Sequence, residues 1–177
     1  MKYRQISLIA LLTLCTFVGD TFGQNEKPAP SPTATFSQKV GLTDVSIIYS
    51  RPSKKGRTII GDLVPYGKVW RTGANATTKF TFSDDVKIGG KDLPAGTYAL
   101  FTIPGENEWT IIFNKDIEGG AGSYKESEDA LRVKTKSIKI AETVETFQIN
   151  IEDNKPNSAI IELLWESTLV QIPLSVK

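Results

Sequence analysis

LPAGTYALFTIPGENEWTIIF, residues 93–113, decides the fold class. Tyr98, Leu100 and Thr102 alternate with their neighbours, as do Trp109, Ile111 and Phe113. This period of two marks strands with one face on a core. Pro104-Gly105-Glu106-Asn107 stands between the two runs and joins them as a hairpin, and Pro94-Ala95-Gly96 launches the first. The same period continues in both directions: Val45, Ile47 and Tyr49, then Phe80 and Phe82, then a short run at Val86 to Ile88 bracketed by Asp84-Asp85 and Gly89-Gly90. Towards the C-terminus it returns at Phe147, Ile149 and Ile151, a turn follows at Asn154 to Asn157, and two further runs occupy 159–165 and 170–176. About nine strands with almost no helical periodicity predict an all-β fold, a single antiparallel β-sandwich or flattened barrel over residues 33–177. Its predicted core is Trp109, Phe113, Ile149, Ile161, Leu163, Trp165, Ile172 and Leu174. Residues 116–129 are Gly-rich and acidic, too poor in helix formers for more than one turn near Glu126 to Leu131. Pro173 in the last run fits an edge strand or a bulge.

The chain has 177 residues, enough for one domain with a substantial core. Residues 1–23 read as a secretory signal peptide: Lys2 and Arg4 precede an apolar run from Ile6 to Val18, and Thr21-Phe22-Gly23 sets small residues before a cut at Gln24. That run falls short of the roughly 20 residues needed to span a bilayer, so no stable membrane span is expected after cleavage. Cys15 lies inside the run behind the bulky Leu14, which argues against lipid attachment, and it is the one cysteine of the chain. Residues 24–32, QNEKPAPSP, form a polar, Pro-rich tether. The expected location is the periplasm or the cell exterior. Cleavage would leave nineteen basic and nineteen acidic residues, and a neutral domain argues against nucleic acid as a partner.

Against that neutral background, residues 45–83 hold seven cations (Arg51, Lys54, Lys55, Arg57, Lys68, Arg71 and Lys79) and one acid, Asp62. The same stretch carries Pro52, Gly56, Gly61, Pro65, Gly67 and Gly73, so it is one long basic loop region. Arg51, Arg57 and Arg71 offer planar forks for an anion. Tyr66 and Trp70 offer flat apolar faces for a sugar ring, and Asn75 both donates and accepts. These residues and Asp62 make up the expected ligand-binding set, with Arg51 and Arg71 on an anion and Asp62 orienting one guanidinium. Two readings stay open: Trp70 as core instead of ligand wall, and Arg71 as a structural partner of Asp62.

Absences narrow the chemistry. With no histidine, and no cysteine beyond residue 15, a Ser-His-Asp triad, a Cys-His pair and a histidine-rich zinc site are all excluded. No cofactor, metal site or catalytic residue is expected. Carboxylate hydrolysis stays open in principle, through Asp62 with Glu126 or Asp129. Asp84-Asp85 and Glu126-Ser127-Glu128-Asp129 lack the alternating spacing of a calcium loop and read as solvated charge. Asn75-Ala76-Thr77 matches the N-glycosylation sequon, a short pattern that carries no weight alone.

Three ordered motifs carry a family resemblance: YSRPSKKGR at 49–57, GDLVPYGKVWRTGAN at 61–75 and LPAGTYALFTIP at 93–104. The chain from about Ser31 to Lys177 resembles the bacterial envelope family known as domain of unknown function 2911. The resemblance implies an exported, mainly β domain and no particular reaction. Together these readings predict an exported, non-catalytic binding module for an anionic small molecule or glycan of the envelope. The alternatives are a carboxylate hydrolase and a structural or assembly partner of another envelope protein.

Overall fold

Period-two runs and their turns give nine strands in the computed structural model, which describes residues 28–177, with backbone only for Asp153 and Asn154. In chain order they are β1 (Thr33–Val40), β2 (Thr43–Ser50), β3 (Lys79–Phe82), β4 (Val86–Ile88), β5 (Lys91–Leu93), β6 (Gly96–Ile103), β7 (Glu108–Asn114), β8 (Asp129–Lys155) and β9 (Ser158–Ser175). All pairings are antiparallel, in the order β1-β2-β3-β6-β7-β8-β9-β4-β5. The sheet is not closed, since β1 and β5 are its unjoined ends. The signal-peptide reading of residues 1–23 and the first four residues of the tether, 24–27, lie outside the described residues. Among the described residues no helix is long and apolar enough to cross a membrane.

The long strand β8 turns one sheet into two layers. Its first part pairs with β7, from Asn114↔Asp129 to Glu108↔Lys136, and its later part pairs with β9, down to Lys155↔Ser158. Inward side chains of the two layers meet in one core: the Tyr49 ring of β2 lies 5.8 Å from Phe147 of β8, edge-on, and the Tyr49 hydroxyl accepts the Ile149 amide at 3.1 Å. Phe80, Phe82 and Phe113 form an aromatic cluster within it. Every core residue expected from the alternation is at most 4% exposed. The two expected C-terminal runs form one strand, β9. Between them the inward positions change from odd numbers, ending at Trp165, to even numbers, starting at Val170. One extra residue is needed for that change, and Glu166 supplies it in the left-handed conformation, φ 54°. Opposite this bulge, ten residues of β8 from Lys139 to Gln148 face five of β9 from Leu164 to Thr168.

One expectation is corrected. Alternation predicts half-buried strands, yet β6 is buried on both faces over most of its length. Its outward Ala99 and Phe101, with Ile112 of β7, form a second small core under Val69 and Tyr124. The 116–128 segment is laid over the sheet by the Tyr124 hydroxyl on Asp129 at 2.7 Å and by the Thr77 hydroxyl on the Gly119 carbonyl. Within this segment, Ala121–Ser123 and Glu126–Glu128 are short 3-10 turns. At Asp129 the chain is already strand, so the expected turn stops short of Leu131.

Candidate functional site

The basic loop between β2 and β3 is stitched to both layers. Trp70 exchanges two backbone bonds with Thr102 of β6, at 2.8 and 2.9 Å. On the other layer, the Lys54 amide donates to the Glu145 carbonyl at 2.7 Å, and the Lys55 amide to the Glu145 side chain at 2.8 Å. Glu166 Oε2 accepts the amides of Ile59 and Ile60, both at 3.2 Å, and Lys54 Nζ lies 3.6 Å from Glu166 Oε1. Ile59 and Val64 are buried, which anchors the loop from below.

Each expected arginine is engaged with backbone carbonyls. Arg51 is half-buried and donates from Nε to Phe147 O at 3.3 Å. Arg57 is exposed and braces its own turn, on Lys54 O at 2.9 Å and Ser53 O at 2.7 Å. Arg71 donates to Asn75 O at 2.6 Å, while Asn75, left-handed at φ 55°, donates from its side chain to Ser31 O at 3.1 Å. Asp62 is exposed, and among the described residues no ion pair or hydrogen bond joins it to an arginine. The expected orientation of a guanidinium by Asp62 is therefore not what the geometry contains. Trp70 stacks on Trp165 at 5.8 Å and meets Phe147 at 5.1 Å, and its indole N–H donates to Gly73 O at 3.1 Å. It is a wall of the core. Its edge-on neighbour Trp109 is buried with its indole N–H unpaired among the described residues.

Tyr66 differs from the others. It is 43% exposed and lines a groove of about 550 Å³. Its ring rests against Gly61, where φ is 92° and a Cβ would lie 2.8 Å from Tyr66 Cε2. Glycine is thus required twice at that position, for the turn and for the approach of the ring. The rest of the groove comes from elements far apart in sequence: Glu106 and Asn107 from the β6–β7 turn, Ser137 and Lys139 from β8, and Glu166, Ser167 and Thr168 from the bulge of β9. Sequence reasoning missed all of these. The change from odd to even inward positions after Trp165 was the available signal.

The groove presents hydroxyls, an amide, carboxylates and an ammonium around one aromatic face. That mixture donates and accepts in many directions, as a polyhydroxylated ligand requires. The carboxylates nominated for hydrolysis lie elsewhere. Asp129 is held by Asn114 Nδ2 and the Tyr124 hydroxyl, both at 2.7 Å, with Arg132 Nε at 3.5 Å, and Glu126 pairs with Arg132. Burial, then the hydrogen bond to Asp129, pushes the Tyr124 phenol above its ordinary range. Among the described residues, no group of acidic side chains is arranged to hold a metal ion.

A family model described as "Protein of unknown function (DUF2911)" matches residues 31–174. No curated protein and no solved structure matches the chain.

Proposed function

The chain belongs to the DUF2911 family, and from that premise we propose that it is an exported, non-catalytic binding module whose ligand is a glycan held in the Tyr66 groove. The observation that carries this reading is an exposed aromatic ring, fixed against Gly61, lining a groove whose other side chains, Ile60 apart, are polar. A sugar ring offers an apolar face to stack on such a ring and hydroxyls for Asn107, Ser137, Ser167 and Thr168. Glu106 accepts from hydroxyls, and its charge disfavours an anion at this groove. A hydrolase reading would use Glu106 and Glu166, but both oxygens of Glu166 already face the loop, through Ile59, Ile60 and Lys54.

Titration calorimetry with neutral chitin-, cellulose- and α-glucan-type oligosaccharides tests the proposal. Wild type is expected to bind at least one class, with no release of reducing ends on prolonged incubation. Tyr66→Ala should weaken that binding about tenfold at an unchanged melting temperature, a loss of the size expected when one stacked aromatic is removed. Gly61→Ala, which displaces the ring without deleting it, should weaken it as well. Equal binding by wild type and Tyr66→Ala sinks the groove assignment, and turnover sinks the non-catalytic reading.

A further inference from the structure

We propose that a second groove, between β8 and the β4–β5 turn, binds a tetrahedral oxyanion of the phosphate or sulfate ester class, independently of the Tyr66 groove. It encloses about 570 Å³ and is lined by Lys91, Arg132, Lys134 and Thr110, with Gly89 and Val133. Its lining has three cations and no carboxylate.

The fold builds this cluster from two directions. Arg132 and Lys134 are alternate residues of β8 and so share one face, and Thr110 of β7 is the direct partner of Lys134. Lys91 arrives on the turn that Gly89 and Gly90 make. Gly89, at φ 55°, lets this turn close on β8, where a Cβ would stand 3.3 Å from Val133 Cβ. Lys91 Nζ then donates to Arg132 O at 3.1 Å, which fixes the ammonium at the groove and leaves two of its three donors free.

The neighbouring acids hold the cations in place without closing the site. Asp129, with its side chain 7% exposed, lies 3.5 Å from Arg132 Nε and orients the guanidinium. Glu126 on Arg132 and Glu108 on Lys134 are 73% and 51% exposed. Exposed, solvent-screened pairs of this kind contribute little, so a doubly charged anion displaces them readily. Three cationic donors and a hydroxyl approaching from three strands match the three terminal oxygens of a phosphate or sulfate ester better than the two of a carboxylate.

Calorimetry at low ionic strength, with inorganic phosphate, inorganic sulfate and a hexose 6-phosphate as separate titrants, tests the inference. At least one should bind, and Lys91→Gln and Lys134→Gln should each weaken it tenfold or more. Both lysines are surface groups, so folding should survive. Equal affinity for inorganic phosphate and the ester would assign the site to the anion itself, and tighter ester binding would assign it to a phosphorylated sugar. Tyr66→Ala should leave these titrations unchanged, and Lys91→Gln should leave oligosaccharide binding unchanged, so the two sites fail separately. No heat with any of the three titrants, or wild-type affinity in both lysine variants, overturns the proposal.

Discussion

Glu166 Oε2 accepts the backbone N–H of Ile59 at 3.2 Å, across 107 residues of chain. The Ile60 N–H shares the same oxygen, also at 3.2 Å. Two consecutive amides converging on one carboxylate make this contact the clasp of the basic loop. It also answers how so many cations coexist near one local acid: Glu145 and Glu166 come to the loop from β8 and β9. A field read along the chain overstates the charge that survives folding, because acids distant in sequence are near in space.

Glu166→Ala should therefore destabilise the domain by about 1–3 kcal/mol, the cost of leaving two part-buried amides without an acceptor. Glu166→Gln, which keeps an acceptor oxygen but loses the attraction to Lys54, should cost less. Urea denaturation of both variants measures the difference. Equal, near-zero losses would show that the loop holds without the clasp.

Alkaline pH should loosen the domain through Tyr124. Burial and the bond to Asp129 raise its phenol, and burial followed by the charge of Asp85 raises that of Tyr98. The unfolded chain releases the phenolic proton at the ordinary value of about 10 while the folded chain keeps it. The stabilisation is complete below about pH 10 and is lost as pH rises towards the higher folded values. Melting temperature should fall from about pH 10 upwards, and Tyr124→Phe should flatten that fall while lowering stability at neutral pH by about 1.5–3 kcal/mol, the worth of a hydrogen bond to a charged group. An unchanged alkaline slope in Tyr124→Phe would place the effect elsewhere.

What the sequence made legible was what repeats. Alternation at Trp109, Ile111 and Phe113, and at Ile161, Leu163 and Trp165, reports burial directly, because a strand has two faces and water covers only one. The turns at residues 104–107 and 89–90 were readable because glycine and proline restrict the backbone locally. The groove was not readable. Ser137, Glu166 and Thr168 are ordinary residues made neighbours by the pairing of β8 with β9 and by the bulge at Glu166, and pairing across long separations leaves no periodic trace. Trp70 shows the same limit from the other side: beside Arg71 it reads equally as platform or core, and only the position of Trp165 decides it.

Removal of residues 169–177 should abolish cooperative folding. β9 carries the junction: Val170 pairs with Ser137 of β8, and Leu174 with Ile88 of β4. Without this segment the β4–β5 hairpin loses its link to the rest of the sheet. Pro173 marks where that ladder ends, since it accepts the Gly89 amide at 2.8 Å but has no N–H to return. Val170, Ile172 and Leu174 are fully or almost fully buried. At roughly 1.5–3 kcal/mol each, their loss amounts to about 5–9 kcal/mol. Domain stability as a whole is about 5–15 kcal/mol, so the deletion removes most or all of it. Circular dichroism melting of the truncated chain measures this, and a sharp transition within about 5 °C of wild type would show that β8 and the other strands hold the core without the end of β9.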